Sequence, residues 1–283
     1  MERRVIMRSA DIVVIRSGGD IATGVIQKFY RSGFKLLVLE TEEPTAVRRS
    51  VALCEAVYAG RATVEDVSCE RIPTLSEIDR CYEQGVVPLM VDPHGESISR
   101  LNPAAVIDAI LAKRNLGTHR GMAPITIGLG PGFNAGDDVH AVIETMRGHD
   151  LGRLILQGRA QPDTGIPGEV GGKSIQRVIR AHCAGELRHI SKIGDVLEEG
   201  ETICEISGEA VKAPFKGLLR GLLHEGLQVP KDMKIADIDP RLDVDWRTVS
   251  DKARCIGGAT LEAFFYLSNR AEDKRKTGVQ APT

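Results

Sequence analysis

Ile12-Val13-Val14-Ile15-Arg16-Ser17-Gly18-Gly19-Asp20, continued by Ile21 to Tyr30 and by Leu36-Leu37-Val38-Leu39-Glu40, is the stretch that decides the fold expected of this chain. Its first four residues are an unbroken run of β-branched apolar side chains, the pattern of a strand covered on both faces. Ser17-Gly18-Gly19 breaks the strand, Ile21 to Tyr30 reads as a helix closed by Gly33, and the second apolar run ends on an acid. Strand, helix and strand within roughly 30 residues make a βαβ unit, whose crossover is right-handed in nearly every case. Further strands are expected at Val51 to Tyr58, Val86 to Val91, Val106 to Ala109 and Ile125 to Ile127, with helices near Leu75 to Gln84 and over Asp138 to Met146. The fold class that follows is α/β, a Rossmann-like doubly wound sheet with a second, smaller β barrel-sandwich domain.

The second domain is read from a change of rhythm. Gly158 to Gly172 is rich in Gly, Pro and polar residues, and from Gly185 onward short strand-like pieces alternate with turns as far as Ile238. The order of pieces from about Ala181 to Asp239 resembles a biotinyl/lipoyl-type hammerhead. Carriers of that fold bear a modified lysine at a hairpin tip, whereas the expected tip here, Ser207-Gly208-Glu209, has none, so the unit reads as an unmodified scaffold. The boundaries are then 1–160 for a nucleotide- or cofactor-binding domain, 161–180 for a linker loop, 181–240 for the barrel-sandwich domain and 241–283 for a C-terminal extension.

Composition limits what such a chain does. Its 283 residues suit two units at roughly 150 residues per domain. With 37 Lys+Arg against 39 Asp+Glu, and only 4% aromatics, neither a nucleic-acid partner nor an anionic membrane is expected. Six cysteines without a CxxC pair or zinc-like Cys/His spacing read as reduced thiols, and no metal site is expected from them. Met1 to Ala10 lacks the apolar stretch of a secretory signal, and no apolar run approaches the roughly 20 residues of a bilayer span, so a cytoplasmic location is expected.

Two glycine loops carry the expected ligand chemistry. Ser17, Gly19 and Ala22 occupy the three positions of a GxGxxG/A fingerprint, with Gly18, Asp20 and Gly24 around them. Glu40 follows Gly19 by 21 positions, where an acid can hold a ribose hydroxyl. A helix N-terminus there would receive phosphate on its free N–H groups. Gly128, Gly130 and Gly132, with Asn134, form the second loop, expected to face the same crevice. For both loops the alternative is plain turn and packing chemistry. His140 is the one candidate for proton chemistry, four positions before Glu144 on the expected helix.

Several strings together resemble selenium-dependent molybdenum-hydroxylase accessory proteins of the YqeB type. They are Val14 to Gly24, Ala46 to Arg49, Asp108 to Asn115, the second glycine loop with Asp138 to Thr145, Thr164 to Glu169, and Ser250 to Arg254. The resemblance implies a maturation role for enzymes similar to xanthine dehydrogenase, with the apo-hydroxylase or other maturation factors as partners. It also implies handling of the molybdopterin cofactor, with molybdopterin cytosine dinucleotide as ligand, while the glycine loops by themselves suit a dinucleotide such as NAD(P). Arg48, Arg49, Lys113, Arg114 and Asn115 carry over as contacts for an anionic cofactor. An NAD(P)-dependent oxidoreductase remains the alternative, so catalysis stays open, as does self-association.

Overall fold

The computed structural model describes residues 12–166 and 168–277. The segment read for a secretory signal, within residues 1–11, lies outside them, as do Pro167 of the Thr164–Glu169 string and residues 278–283.

The opening run forms β1 (Ile12–Arg16), followed by α1 (Asp20–Arg31) and β2 (Lys35–Glu40). The chain continues through α2 (Ala56–Ala59), β3 (Arg61–Val64), β4 (Val67–Arg71), α3 (Ile78–Glu83), β5 (Val87–Val91), α4 (Glu96–Leu101) and β6 (Ala105–Asp108). It then adds β7 (Ile125–Leu129), β8 (Ala141–Ile143) and β9 (Leu154–Ile155). These strands build one sheet of nine in the order β3-β4-β5-β2-β1-β6-β7-β8-β9. Alternate residues of β1 explain its unbroken hydrophobicity. Val13 and Ile15 enter the core under α1, while Val14 joins Ile78 and Ile98 on the opposite face. Each such side chain, fully buried, contributes on the order of 1.5–3 kcal/mol.

The Rossmann-like doubly wound sheet is not what the chain builds. The sheet is mixed, because β3 and β9 run antiparallel to their neighbours at its two edges. The helix expected over Asp138 to Met146 is the three-residue strand β8, paired with β7, and the connections on either side of β7 contain only a 3₁₀ turn at Arg120–Met122. Ala141, Val142 and Ile143 are all buried, and a short apolar run buried on every side carries no period to separate strand from helix. Val51 to Tyr58, expected as a strand, instead folds into 3₁₀ turns and α2 that close over the end of β1.

Beyond the long loop come β10 (Val178–Arg180), β11 (Gly185–His189), β12 (Val196–Leu197), β13 (Thr202–Ile206), β14 (Glu209–Lys212), β15 (Gly217–Leu222), β16 (Gln228–Val229) and β17 (Lys234–Asp239). They make two four-stranded sheets, β10-β17-β15-β12 and β14-β13-β11-β16, whose strand pairs are antiparallel. A separate core holds them, with Leu187, Ile203, Leu219 and Ile235 at its centre. Two hydrogen bonds at the Leu222 main chain tie this unit to the large sheet: Leu222 N–H donates to the Val47 carbonyl at 2.8 Å, and the Arg49 side-chain Nε–H donates to the Leu222 carbonyl at 2.7 Å.

The segment after β17 is no free extension. It ends in α5 (Asp251–Thr277), whose Ala253, Ile256, Ala263 and Phe264 complete the core of the large sheet. Helices α1 and α5 cross at glycines. A Cβ on Gly24 would stand 2.4 Å from the Ala253 carbonyl oxygen, and one on Gly257 2.3 Å from that of Gly24.

Candidate functional site

The first glycine loop is closed by its own side chains. Gly18 N–H donates to Glu40 Oε2 at 2.8 Å, Ser17 Oγ to the same oxygen at 3.3 Å, and Thr41 N–H to Glu40 Oε1 at 2.9 Å. Gly19 N–H donates to Ser17 Oγ at 3.1 Å. The Glu40 carboxylate, buried in this way, latches the loop that it was expected to assist in binding ribose. Cys54 N–H donates to the Gly18 carbonyl at 2.9 Å, and a Cβ on Gly18 would lie 2.9 Å from that nitrogen, so this glycine is required by the turn packed above it. Gly24 serves the helix crossing. Asp20, by contrast, is half-buried at the start of α1, with Oδ2 3.5 Å from Arg48.

The second loop is held equally firmly. Gly128 sits against the Phe133 ring, Gly130 N–H donates to the Ile143 carbonyl at 2.9 Å, and Gly132, at φ 113°, lies where a Cβ would come within 2.7 Å of the Arg114 backbone. Asn134 N–H donates to Asp138 Oδ2 at 2.8 Å, and its side-chain amide donates to Asp137. His140 precedes β8 and accepts on Nδ1 from the Thr126 N–H at 3.0 Å, which leaves the ring proton on Nε2. Burial, with Arg120 nearby, pushes its pKa down. Glu144 is used elsewhere: its carboxylate accepts from the N–H groups of Thr145, Met146 and Gln161. The expected His140/Glu144 pair on one helix face does not form.

What these segments do share is a cleft of about 1020 Å³ between the C-terminal strand edge of the large sheet and the face of β10, β15 and β17. Asp20 and Ile21 reach it from α1, and Pro131, Thr145 and Arg147 reach it from the loops around β7 and β8. Arg48 and Lys113 border it, as do Thr164 to Ile166, Gly168 and Glu169 of the long loop and Ser250 to Lys252 at the start of α5. The barrel side supplies Arg177, Arg180, Arg220, Lys234 and Arg241. Of the five contacts for an anionic cofactor carried over by resemblance, Arg48 and Lys113 line this cleft. Asn115 instead caps its own turn through Gly117 N–H and Thr118 N–H, and Arg49 ties the two units together.

Nine Lys and Arg side chains line the cleft against five carboxylates. Some are neutralised in place. Arg147 forms a two-pronged pair with Asp251 at 2.7 and 2.8 Å, and Lys113 pairs with Asp163 at 2.6 Å. On the barrel face Asp237 meets Arg177 at 3.3 Å and Arg220 at 2.6 Å, while Asp239 meets Arg220 at 2.9 Å and Arg241 at 2.8 Å. Others remain under-partnered. Arg48 approaches Asp20 only to 3.5 Å, and its Nε, like that of Arg177 and the Oδ1 of Asp20, is buried without a hydrogen bond among the described residues. Lys252 makes no ion pair among them. Loss of water pushes the pKa values of Arg48, Lys234 and Lys252 down.

The barrel cations could not be found from sequence, because single arginines on short strands read as solvent-facing. A second charge cluster lies outside the lining of the cleft. Arg16 and Asp108, each 2% exposed, stand 3.5 Å apart at the ends of β1 and β6 and share Thr118, whose Oγ1 donates to Asp108 Oδ2 at 2.6 Å. Burial raises the Asp108 pKa. The cluster fixes the loop that carries Lys113.

The chain is similar to the uncharacterized protein YqeB of Escherichia coli (strain K12), with 50% identity over 260 residues, 92% of this chain and 48% of that protein. It thus spans about half the length of the curated relative it matches. No protein-family model matches the chain. Among solved structures it is similar to an aspartoacylase family protein of Mesorhizobium loti MAFF303099, at 11% identity, covering 82% of this chain and 85% of that one with a TM-score of 0.24. It is also similar to a succinylglutamate desuccinylase of Silicibacter sp. TM1040, at 10% identity, 81% and 84% coverage and a TM-score of 0.25. The mixed sheet, with its antiparallel edge strands, withdraws the Rossmann expectation. No helix among the described residues is long and apolar enough to cross a membrane.

Proposed function

We propose that the chain is a binding and delivery protein for a phosphorylated, anionic cofactor held in the cleft, and that it serves molybdenum-hydroxylase maturation with a molybdopterin-type cargo. One observation supports the ligand class. All six strings that resemble YqeB-type accessory proteins send residues into the same cleft: Asp20 and Ile21, Arg48, Lys113, Pro131 and Thr145, Thr164 to Ile166 with Gly168 and Glu169, and Ser250 to Lys252. The cleft's cations outnumber its acids, and those that burial has stripped of water gain most from a phosphate, since charge-assisted bonds strengthen as local water is lost. The maturation role rests on the resemblance. The oxidoreductase alternative gains nothing from His140, which does not line the cleft.

Isothermal titration with inorganic pyrophosphate and with molybdopterin cytosine dinucleotide tests the proposal. Both are expected to bind, and Lys252→Glu is expected to weaken both by about 10-fold or more, the equivalent of about 1.4 kcal/mol. A cation facing phosphate at about 4 Å in a partly wet cleft is worth up to about 4 kcal/mol before desolvation is charged against it. No heat with either probe, or unchanged affinity in Lys252→Glu, overturns the reading.

A further inference from the structure

His182, Cys183 and Glu209 lie together at one end of the barrel, with their ligand atoms all within 4.8 Å of one another. None of them lines the cleft. His182 Nε2 and Glu209 Oε2 are 3.0 Å apart, and both side chains reach solvent. We propose that this trio is a zinc site with three protein ligands and one open position.

The backbone brings the three together without help from an ion. His182 and Cys183 sit in the four-residue connection between β10 and β11, which is pinned at Ala181 by two bonds: Ala181 N–H to the Met233 carbonyl at 2.9 Å and Asp232 N–H to the Ala181 carbonyl at 2.8 Å. Glu209 opens β14 directly after the tight turn at Ser207 and Gly208, where φ is 51° and 84°. Gly185 lets the two loops touch, since a Cβ there would lie 1.9 Å from Ser207 Oγ, and Ser207 N–H donates to the Glu186 carbonyl at 3.2 Å. A larger residue at 185 would separate Cys183 from Glu209.

Chemistry selects the ion. An imidazole, a thiolate and a carboxylate form a mixed N/S/O set that suits borderline-soft, tetrahedral Zn²⁺ and not Ca²⁺ or Mg²⁺, which take oxygen ligands. With Zn–N near 2.0 Å, Zn–O near 2.1 Å and Zn–S near 2.3 Å, tetrahedral ligand atoms stand about 3.3–3.6 Å apart, so rotamer adjustments of these partly exposed side chains close the site. Binding is balanced in charge and protons. The Cys183 thiol gives one proton to the buffer as the S–Zn bond forms, and thiolate and carboxylate together offset the two positive charges. The fourth position stays open to water or to a donor from a partner.

Titration of the full chain with Zn²⁺, and with Co²⁺ as its coloured substitute, tests the site. One ion per chain is expected, with one proton released, read from calorimetry in buffers of different ionisation enthalpy. Co²⁺ should give a thiolate charge-transfer band. The band should vanish in Cys183→Ser and persist in Cys255→Ser, which removes the exposed cysteine on α5. His182→Ala and Glu209→Gln should each weaken Zn²⁺ by roughly 100-fold or more, at least the upper end of the effect of losing a partner that only orients a ligand. Zn²⁺ should also slow alkylation of Cys183 in the parent protein, which needs no variant to fold. Absence of the band, its survival in Cys183→Ser, or alkylation of Cys183 indifferent to Zn²⁺ overturns the proposal.

Discussion

Replacing Glu40 by Gln separates a latch from a ligand contact. The carboxylate accepts three bonds inside the first loop, from Gly18 N–H, Ser17 Oγ and Thr41 N–H, through both of its oxygens, and the side chain is buried. Glutamine keeps one acceptor and turns the other position into a donor. Either Gly18 or Thr41 then faces an N–H instead of an oxygen, and a buried donor left unmatched costs about 1–3 kcal/mol. Taking about 2 kcal/mol, and an unfolding entropy of about 2.1 cal/mol/K per residue over 283 residues, the melting midpoint should fall by about 3 °C. Differential scanning calorimetry measures that, and pyrophosphate titration of the same variant should show affinity within about 3-fold of the parent, because Glu40 does not line the cleft. Unchanged stability combined with a 10-fold loss of binding would refute the latch and restore Glu40 to the ligand.

Two glycines should respond to alanine with opposite sign. In helix interiors the exchange gains about 1 kcal/mol, and at Gly258, where nothing stands within 4 Å of the added Cβ, that gain should appear in full. At Gly24 the Cβ meets a backbone carbonyl at 2.4 Å, so overpacking of about 1–3 kcal/mol should outweigh the gain, a contrast that chemical denaturation of the two variants checks. Stability should also fall on the acid side. His140 and His189 are both held below the ordinary histidine pKa by burial, so the unfolded chain binds more protons, and their contribution, complete above about pH 6.5, is lost as pH drops through and below that value. His140→Gln should make denaturation midpoints measured between pH 8 and 5 less steep, and an unchanged slope would remove His140 from this account.

The first strand, helix and second strand were legible because their patterns are extreme: four β-branched residues in a row, then an amphipathic segment closed by glycine. Residues 138–146 were misread for a physical reason. Asp137 and Asp138 look like a helix start, yet they bond into the Asn134 turn, and Ala141 to Ile143 takes its form from β7 and β9 on either side. Likewise, Val51 to Tyr58 is apolar because it seals the Gly18 loop, not because it joins the sheet. The glycine loops lie at the sheet edge that borders the cleft, but sequence could not tell that Glu40, Phe133 and Thr145 already occupy the space around those glycines. Arg177, Arg220 and Lys234 gave no local signal, since only the docking of the barrel turns them toward Arg48 and Lys252.

The return of α5 to the large sheet gives the barrel the topology of an insertion, anchored at both stems. During translation the ribosome releases strands β1 to β9 well before the helix that seals their apolar face, while the whole barrel emerges in between and can close on its own core. The earlier-made half therefore waits, partly unroofed, on α5, and at roughly 5–20 residues per second that interval lasts several seconds. Any premature stop after β17 would leave a finished barrel attached to an open sheet, a state exposed to aggregation and proteolysis.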